Sequence, residues 1–289
     1  MEIAVVTGTS TGIGFATSVR LARHGYRVFA GMRNLAKADA LRAAAAEGGL
    51  PIEVIEIDVT SAASVSRAFE AVAGHGPVDV LVNNAGIGGA TPLELTPEEE
   101  HRRMFETNYF GAIRCIKAVL PAMRERRRGA IVNVSSIAGL VAIPNQVPYS
   151  ASKWALECAG EALAHEVARF DIRVVNVEPG VVKTNIFDNA AEATRYDKRS
   201  PYQPIMRRNG KFYAAGFRDP TWPDEVAETI LAAITAEEYR LRWAVGKDAI
   251  GLSQGRKKIP DEEWIAMGGD LSDQDYNQRF LEYFGIRLL

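Results

Sequence analysis

Cysteine is scarce: the 289 residues hold two, Cys115 and Cys158. Neither has a CxxC partner or metal-ligand spacing, which excludes a disulfide framework and a thiolate metal site. Both fall in apolar-periodic stretches and read as small buried hydrophobes in a reducing compartment. The four histidines, His24, His75, His101 and His165, are scattered and form neither a metal cluster nor a nucleophile–base pair. No apolar run approaches the roughly 18 residues of a membrane span. No basic leader or cleavage pattern precedes the apolar start at 3–6. A soluble cytoplasmic protein is therefore expected. Neither sign of charge is in excess, at a formal net charge of −2, so nothing global calls for nucleic acid. The one basic run, Arg124 and Arg126 to Arg128, reads as a solvated helix C-terminus. Internal repeats and low-complexity linkers are also missing. The chain is long enough to bury a full core, and one domain over 1–289 is expected.

What is present is an alternation. Short apolar runs at 3–6, 27–30, 52–57, 78–82, 130–134 and 173–177 read as strands, with a possible seventh at 241–245. Several are apolar without a polar face, as strands covered on both sides are. Helical stretches at 12–24, 35–47, 62–73, 97–126 and 150–170 lie between them. This order predicts an α/β fold, a doubly wound sheet of about seven parallel strands with helices on both faces. The region 183–217 breaks the pattern. It shows no long periodic element and carries Phe187, Tyr196, Tyr202, Phe212, Tyr213 and Phe217, so a lid or partly helical substrate loop is expected. The stretch 246–289 reads as short helices packed on the domain or on a partner subunit.

The first strand runs into Thr7-Gly8-Thr9-Ser10-Thr11-Gly12-Ile13-Gly14. Glycines there let a pyrophosphate approach the backbone, and the helix N-terminus supplies N–H groups and partial positive charge. The spacing is GxxxGxG rather than GxGxxG, and no Gly-Lys-Ser/Thr follows, so this is not a P-loop. An acid at the end of the second strand would hold the ribose 2′-hydroxyl of NAD. Here the residues are Gly31-Met32-Arg33-Asn34. Arg33 suits a 2′-phosphate, with Ser10 as an added donor, which favours NADP(H) over NAD(H); the plain alternative is an exposed arginine at a strand end. Asp58-Val59 after the third strand suits an adenine edge, although Asp58 would equally cap the helix that begins near Ser61.

Tyr149 and Lys153 are four apart and share one face of a helix. A free tyrosine titrates near pH ~10, and a neighbouring ammonium favours the phenolate. Such a pair can exchange a proton with an alcohol or carbonyl while hydride moves to or from a nicotinamide. Ser136 lacks a G-x-S-x-G elbow, which excludes a serine hydrolase of that type.

Thr7–Gly14, Asn83-Asn84-Ala85-Gly86, Asn108, Ser136, Tyr149-x-x-x-Lys153 and Pro179-Gly180 stand in this order and spacing. The set resembles the short-chain dehydrogenase/reductases, in their single-domain Rossmann-type branch, over roughly residues 1 to 185. The stretch Tyr149 to Glu157 and the Met32-Arg33 strand end look most like hydroxysteroid and retinol dehydrogenases. The resemblance implies that Ser136, thirteen residues before Tyr149, orients the substrate oxygen, while Ser135 faces the other way. It implies that Lys153 also bonds the nicotinamide ribose. For Asn108 it implies a water linking Lys153 to solvent, with a buried structural amide as the alternative. Asn84, Ala85 and Gly86 look like the family's turn beside the adenine ribose. Pro179, Gly180, Val182 and Thr184 would face the carboxamide, with Thr184 near the amide or the pyrophosphate. The four-residue spacing speaks against enoyl reductases of this fold, and the chain length and glycine spacing against sugar-nucleotide epimerases.

The expected function is thus NADP(H)-dependent interconversion of a small-molecule alcohol and a ketone or aldehyde. The alternative is a catalytically silent NADP-binding sensor or scaffold on the same fold. Ala138, Leu140, Val141, Ile143, Val147 and Phe187 would line an apolar substrate pocket. Arg195, Lys198, Arg199, Arg207 and Arg208 would either meet an anionic group or form a solvated face. The resemblance also implies a homodimer or homotetramer built on the long helices at 99–126 and 150–170.

Overall fold

The computed structural model describes residues 1–184 and 198–288. Its strands are β1 (Ile3–Thr7), β2 (Arg27–Met32), β3 (Ile52–Glu56), β4 (Val78–Asn83), β5 (Gly129–Val134), β6 (Ile172–Pro179) and β7 (Arg242–Val245). They form one sheet in the order β3-β2-β1-β4-β5-β6-β7, every pair parallel. All six expected strands and the possible seventh are present.

The central strands bury both of their faces, as their lack of alternation required, while the edge strands β3 and β7 are only partly buried. Ile3 and Val5 join one core, while Ala4 and Val6, pointing the opposite way, join the other. On the first face lie α3 (Ala62–Ala73), α5 (Gly111–Arg126) and α6 (Val147–Val167), through Val65, Phe69, Cys115, Met123 and Leu163. On the second lie α1 (Gly12–Arg23) and α8 (Pro223–Thr235), through Leu21, Val226 and Ile230.

Two expected helices are interrupted. A short 3-10 turn, Leu35–Lys37, precedes α2 (Asp39–Gly48). Asn34 starts that turn by accepting the Ala36 N–H at 2.9 Å. The stretch 97–126 divides into α4 (Glu98–Phe105), a π-helical turn over Glu106–Phe110, and α5. Such turns often mark functional positions, and this one holds Asn108.

The region 183–217 is described only in part. Of its aromatics, Phe187 and Tyr196 lie outside the described residues. The remainder contains a 16-residue helix, α7 (Gln203–Arg218), a longer periodic element than the expected partly helical loop. Its buried side chains Met206, Arg208 and Phe212 recur every two to four positions, a helical period hidden by the polar residues around them. The tail forms α9 (Lys247–Arg256), α10 (Asp261–Ala266) and α11 (Asp273–Phe284). Phe212 of α7 packs with Leu252, Met267, Tyr276, Phe280 and Phe284 in one cluster that reaches Ile137 and Val141.

Arg207 and Arg208 are corrected by this packing. Arg208 is 5 % exposed, donates to the Met267 and Leu271 carbonyls, and stands 4.5 Å from the Tyr276 ring centroid. Arg207 and Lys211 both bond Asp273. These cations fasten α7 to the tail and are not free to meet a ligand. Arg126 likewise does more than fill a solvated helix end, since it bonds Asp79 and the Val78 carbonyl. Cys115 is buried as expected, whereas Cys158 is exposed on the outer side of α6. Among the described residues no helix is long and apolar enough to cross a membrane.

Leu21 is fully buried where α1 meets α8. Leu21→Ala should lower the unfolding free energy by about 2–5 kcal/mol, read by denaturant titration.

Candidate active site

The carboxyl ends of β1, β4, β5 and β6 open onto one cleft of about 640 Å³. Open parallel sheets bind ligands at this edge. Its first wall is the turn from β1 into α1. Gly8 and Gly12 hold φ of +71° and +60°, the left-handed region that glycine enters freely. A methyl at Gly14 would lie 2.3 Å from the Gly8 carbonyl oxygen, so Gly14 permits the turn to close on itself without lining the cleft. The first turn of α1 carries no acid, and Thr11 makes no side-chain cap. The N–H groups of the helix start are left for a ligand.

A second turn is bonded to the first. Thr7 Oγ1 accepts from the backbone N–H groups of Asn84 and Ala85, each at 3.0 Å. Asn84 Nδ2 donates to the carbonyls of Thr7 and Gly8 at 2.8 and 3.0 Å. Asn84 thus secures the glycine turn, while its own turn, with Ala85 and Gly86, borders the cleft.

Arg33, Ser10, Gly12, Ile13, Asp58 and Val59 line the same end of the cleft. Lys37 lines it too. Sequence reading passed over Lys37 because it lay in an expected α-helix; the short turn after Asn34 instead leaves it at the cleft beside Arg33. Asp58 does not cap α3. Its carboxylate accepts from the backbone and hydroxyl of Thr60 at 3.0 and 2.7 Å, and Ser61 caps the helix through the Ser64 N–H. Burial pushes the Asp58 carboxyl up, but the Thr60 bonds and the Arg33 charge outweigh it and hold the group below its ordinary value.

At the other end stand Ser136, Tyr149 and Lys153. Ser136 follows β5 and accepts the Ala138 N–H at 3.1 Å, which fixes its hydroxyl. Ser135 Oγ lies instead against Gly139. The β5–α6 connection and α6 bring Tyr149 and Lys153 to the same place, with Lys153 Nζ 5.9 Å from the Tyr149 ring centroid. Lys153 is 5 % exposed and donates to the Val134 carbonyl at 2.9 Å. Burial lowers its pKa to about 8, opposed by Glu157 one turn along α6. Tyr149 departs from the expectation of a lowered pKa. Burial raises it, and the hydrogen bond with Ser136 offsets only part of the rise.

Asn108 is 1 % exposed. Its Oδ1 accepts the Ile87 N–H at 2.9 Å, and its Nδ2 donates to the Ile87 carbonyl and to Ser152 Oγ, each at 3.0 Å. The amide ties the β4 turn to α6 behind Lys153.

Pro179, Gly180, Val182 and Thr184 border the cleft after β6. Thr184 packs on Gly12: a methyl at Gly12 would lie 2.9 Å from its Cγ2. That places Thr184 at the glycine-turn end. Of the expected pocket residues, Ala138 and Val141 are buried, the latter under the tail cluster, and Val147 is exposed at the helix start. Phe187 lies outside the described residues. Among the described residues, the aromatic of this region that stands near Tyr149 is Tyr213 of α7. Its hydroxyl accepts from Gln146 Nε2, and its pKa is raised by burial and then by the charge of Tyr149. Gln146 gave no signal in the sequence, because only the fold brings α7 over it.

Comparison with known proteins agrees with this arrangement. Residues 2–195 match the family model described as short chain dehydrogenase. A 3-ketodihydrosphingosine reductase of Bacteroides thetaiotaomicron is 36 % identical over 246 residues, covering 85 % of this chain and 88 % of the relative. Human retinol dehydrogenase 8 is 37 % identical over 254 residues, covering 82 % and 79 %. Among solved structures, a short-chain dehydrogenase from Streptomyces avermitilis superposes with a TM-score of 0.80 at 34 % identity, over 93 % of this chain and 98 % of that one. A variant actinorhodin polyketide ketoreductase with NADPH gives 0.75 at 32 % identity, over 87 % and 97 %. With its seven-stranded parallel sheet and cleft, the chain belongs to the short-chain dehydrogenase/reductase family of oxidoreductases.

Proposed function

We propose that this protein is an NADP(H)-dependent oxidoreductase that interconverts an alcohol and a ketone or aldehyde. The observation that carries this reading is the meeting of Ser136, Tyr149 and Lys153 at one end of a cleft whose other end is a glycine turn with an open helix N-terminus. A nicotinamide dinucleotide laid along it would place its phosphates on Gly8, Gly12 and Ile13 and would supply or accept the hydride.

The residues divide the remaining work. Lys153 holds positive charge beneath the reacting centre. Ser136 holds the substrate oxygen against Tyr149. Tyr149 gives a proton to that oxygen in reduction and takes it in oxidation. Burial keeps the phenol protonated, which suits reduction at neutral pH. The alkaline edge of reduction follows discharge of Lys153 near its value of about 8. Asn108 acts as the lock between the β4 turn and α6, and Gln146 with Tyr213 closes the substrate side. The NADPH-bound ketoreductase among the structural relatives supports the cofactor class. Arg33 and Lys37, two cations at the β2 end with no acid between them, support the phosphate-bearing form. Trp154 at 49 % and Phe110 at 46 % exposure lie on α6 and on the π turn before α5, and suit a homodimer or homotetramer built on those stretches.

Tyr149→Phe should reduce kcat with NADPH and a ketone by at least about a hundredfold while NADPH affinity stays within a few-fold; near wild-type turnover would remove Tyr149 from the chemistry. Arg33→Ala, alone and with Lys37→Ala, should raise the KM for NADPH about tenfold or more, the value of a lost charge-assisted bond, and leave the KM for NADH nearly unchanged. Equal effects on the two cofactors would refute the phosphate reading.

A further inference from the structure

Behind Lys153 the polar residues do not stop. Asn83 Nδ2 donates to Asn133 Oδ1 at 3.0 Å, and Asn133 Nδ2 to Asn176 Oδ1 at 3.1 Å. Asn176 Nδ2 donates to Glu157 Oε2 at 2.8 Å. The chain crosses β4, β5 and β6 and ends on α6, four residues after Lys153. From β7, Arg242 Nε donates to the same Glu157 oxygen at 3.0 Å, and its Nη2 reaches Glu161 at 2.5 Å. Glu157 Oε2 therefore has two donors and Oε1 has none.

Glu178 of β6 stands beside it. It is 0 % exposed, and neither of its carboxyl oxygens has a donor in full hydrogen-bond geometry, the Trp243 N–H approaching it without completing a bond. Three groups face the two acids: Arg242 and the Trp243 N–H from β7 and Lys153 from α6, while Glu161 pairs with the other side of Arg242. Arg242 bonds Glu157, not Glu178. Two ionised carboxylates here would leave three acceptor oxygens without a well-formed hydrogen bond in a place closed to bulk water, an arrangement that is strongly unfavourable. One proton resolves it, because a neutral Glu178 becomes the donor that Glu157 Oε1 lacks.

We propose that Glu157 and Glu178 share one proton, carried by Glu178, and that the ionised Glu157 held by this bond is a positioning residue that keeps the Lys153 ammonium charged. The first half stands on the geometry of the pair alone. The second rests on the role given to Lys153 above. Burial and the Glu157 charge both raise the Glu178 pKa against Arg242, in agreement with the bond. An acid whose pKa is raised on folding stabilises the fold below its unfolded value, near ~4.3, and that stability is lost as pH rises toward the folded value.

The test has two arms. The first needs no activity. Melting temperatures of wild type and Glu178→Gln are compared from about pH 5 to about pH 9. Glutamine stays neutral and still offers a donor to Glu157, so the variant should gain on wild type steadily as pH rises. A difference that does not change with pH overturns the shared proton. The second arm reads the pH profile of NADPH-dependent reduction in Glu157→Gln. Its alkaline edge should move down by about one pH unit, the scale of one neighbouring charge; an edge left in place in the folded variant overturns the link to Lys153. Should Glu157→Gln not fold, Glu157→Asp, which withdraws the charge by one methylene, should shift the edge in the same direction by less, and no shift counts against the link. Absence of any carbonyl reduction in wild type would refute the proposed function and leave the first arm standing.

Discussion

A lysine ammonium kept away from water has to be compensated by the protein around it, and much of the site follows from that constraint on Lys153. Its compensation comes from two directions. The end of β5 supplies the Val134 carbonyl, and the next turn of α6 supplies the Glu157 charge. Both are available only if α6 lies across the carboxyl ends of the strands at one fixed depth. That depth is set by Gly160, where a methyl would come within 2.3 Å of Asn176 Oδ1, and by the asparagine chain that runs from β4 to Glu157. The helix is keyed to the sheet by polar contacts whose donors and acceptors are specific, as well as by Leu156 and Leu163, which are buried.

The cofactor end is governed by a different requirement, close approach of backbone to ligand. Here the glycine turn after β1 is held by its neighbour, since Thr7 and Gly8 accept four hydrogen bonds from Asn84 and Ala85. Rigid turns keep donors aimed at the place a phosphate takes, so little ordering remains to be done on binding. The substrate side is built from elements far apart in the chain. Gln146 comes from the β5–α6 connection, Tyr213 from α7, and α7 is itself held by Arg208, Asp273 and the aromatic tail.

The sequence was most informative where chemistry and local pattern coincide. All seven strands follow from short apolar runs, most of which fill both sides of a parallel sheet. Tyr149 and Lys153 could be named because they stand four residues apart on one helix face, and Ser136 through the family resemblance. The glycine turn is likewise local. Features that depend on tertiary packing were missed. The helix Gln203–Arg218 was hidden because its buried positions include an arginine, satisfied only by carbonyls some sixty residues later. Lys37 was assigned to a helix that Asn34 interrupts. The direction of the Tyr149 shift was misjudged because pair spacing says nothing about how much water the fold removes. Glu157 and Glu178 carried no sequence signal as a pair; twenty-one residues and two elements separate them.

The central claim is that one cleft brings a nicotinamide carbon, a substrate carbonyl and the Tyr149 proton together. The most direct measurement follows the hydride itself. Carbonyl substrates are incubated with NADPH carrying deuterium at nicotinamide C4 on one face or the other, and the alcohols formed are analysed by NMR and mass spectrometry. The account predicts that one of the two labelled cofactors delivers its deuterium to the carbinol carbon, with the new hydroxyl proton drawn from solvent. Tight NADPH binding without label transfer to any member of a broad carbonyl panel would contradict it.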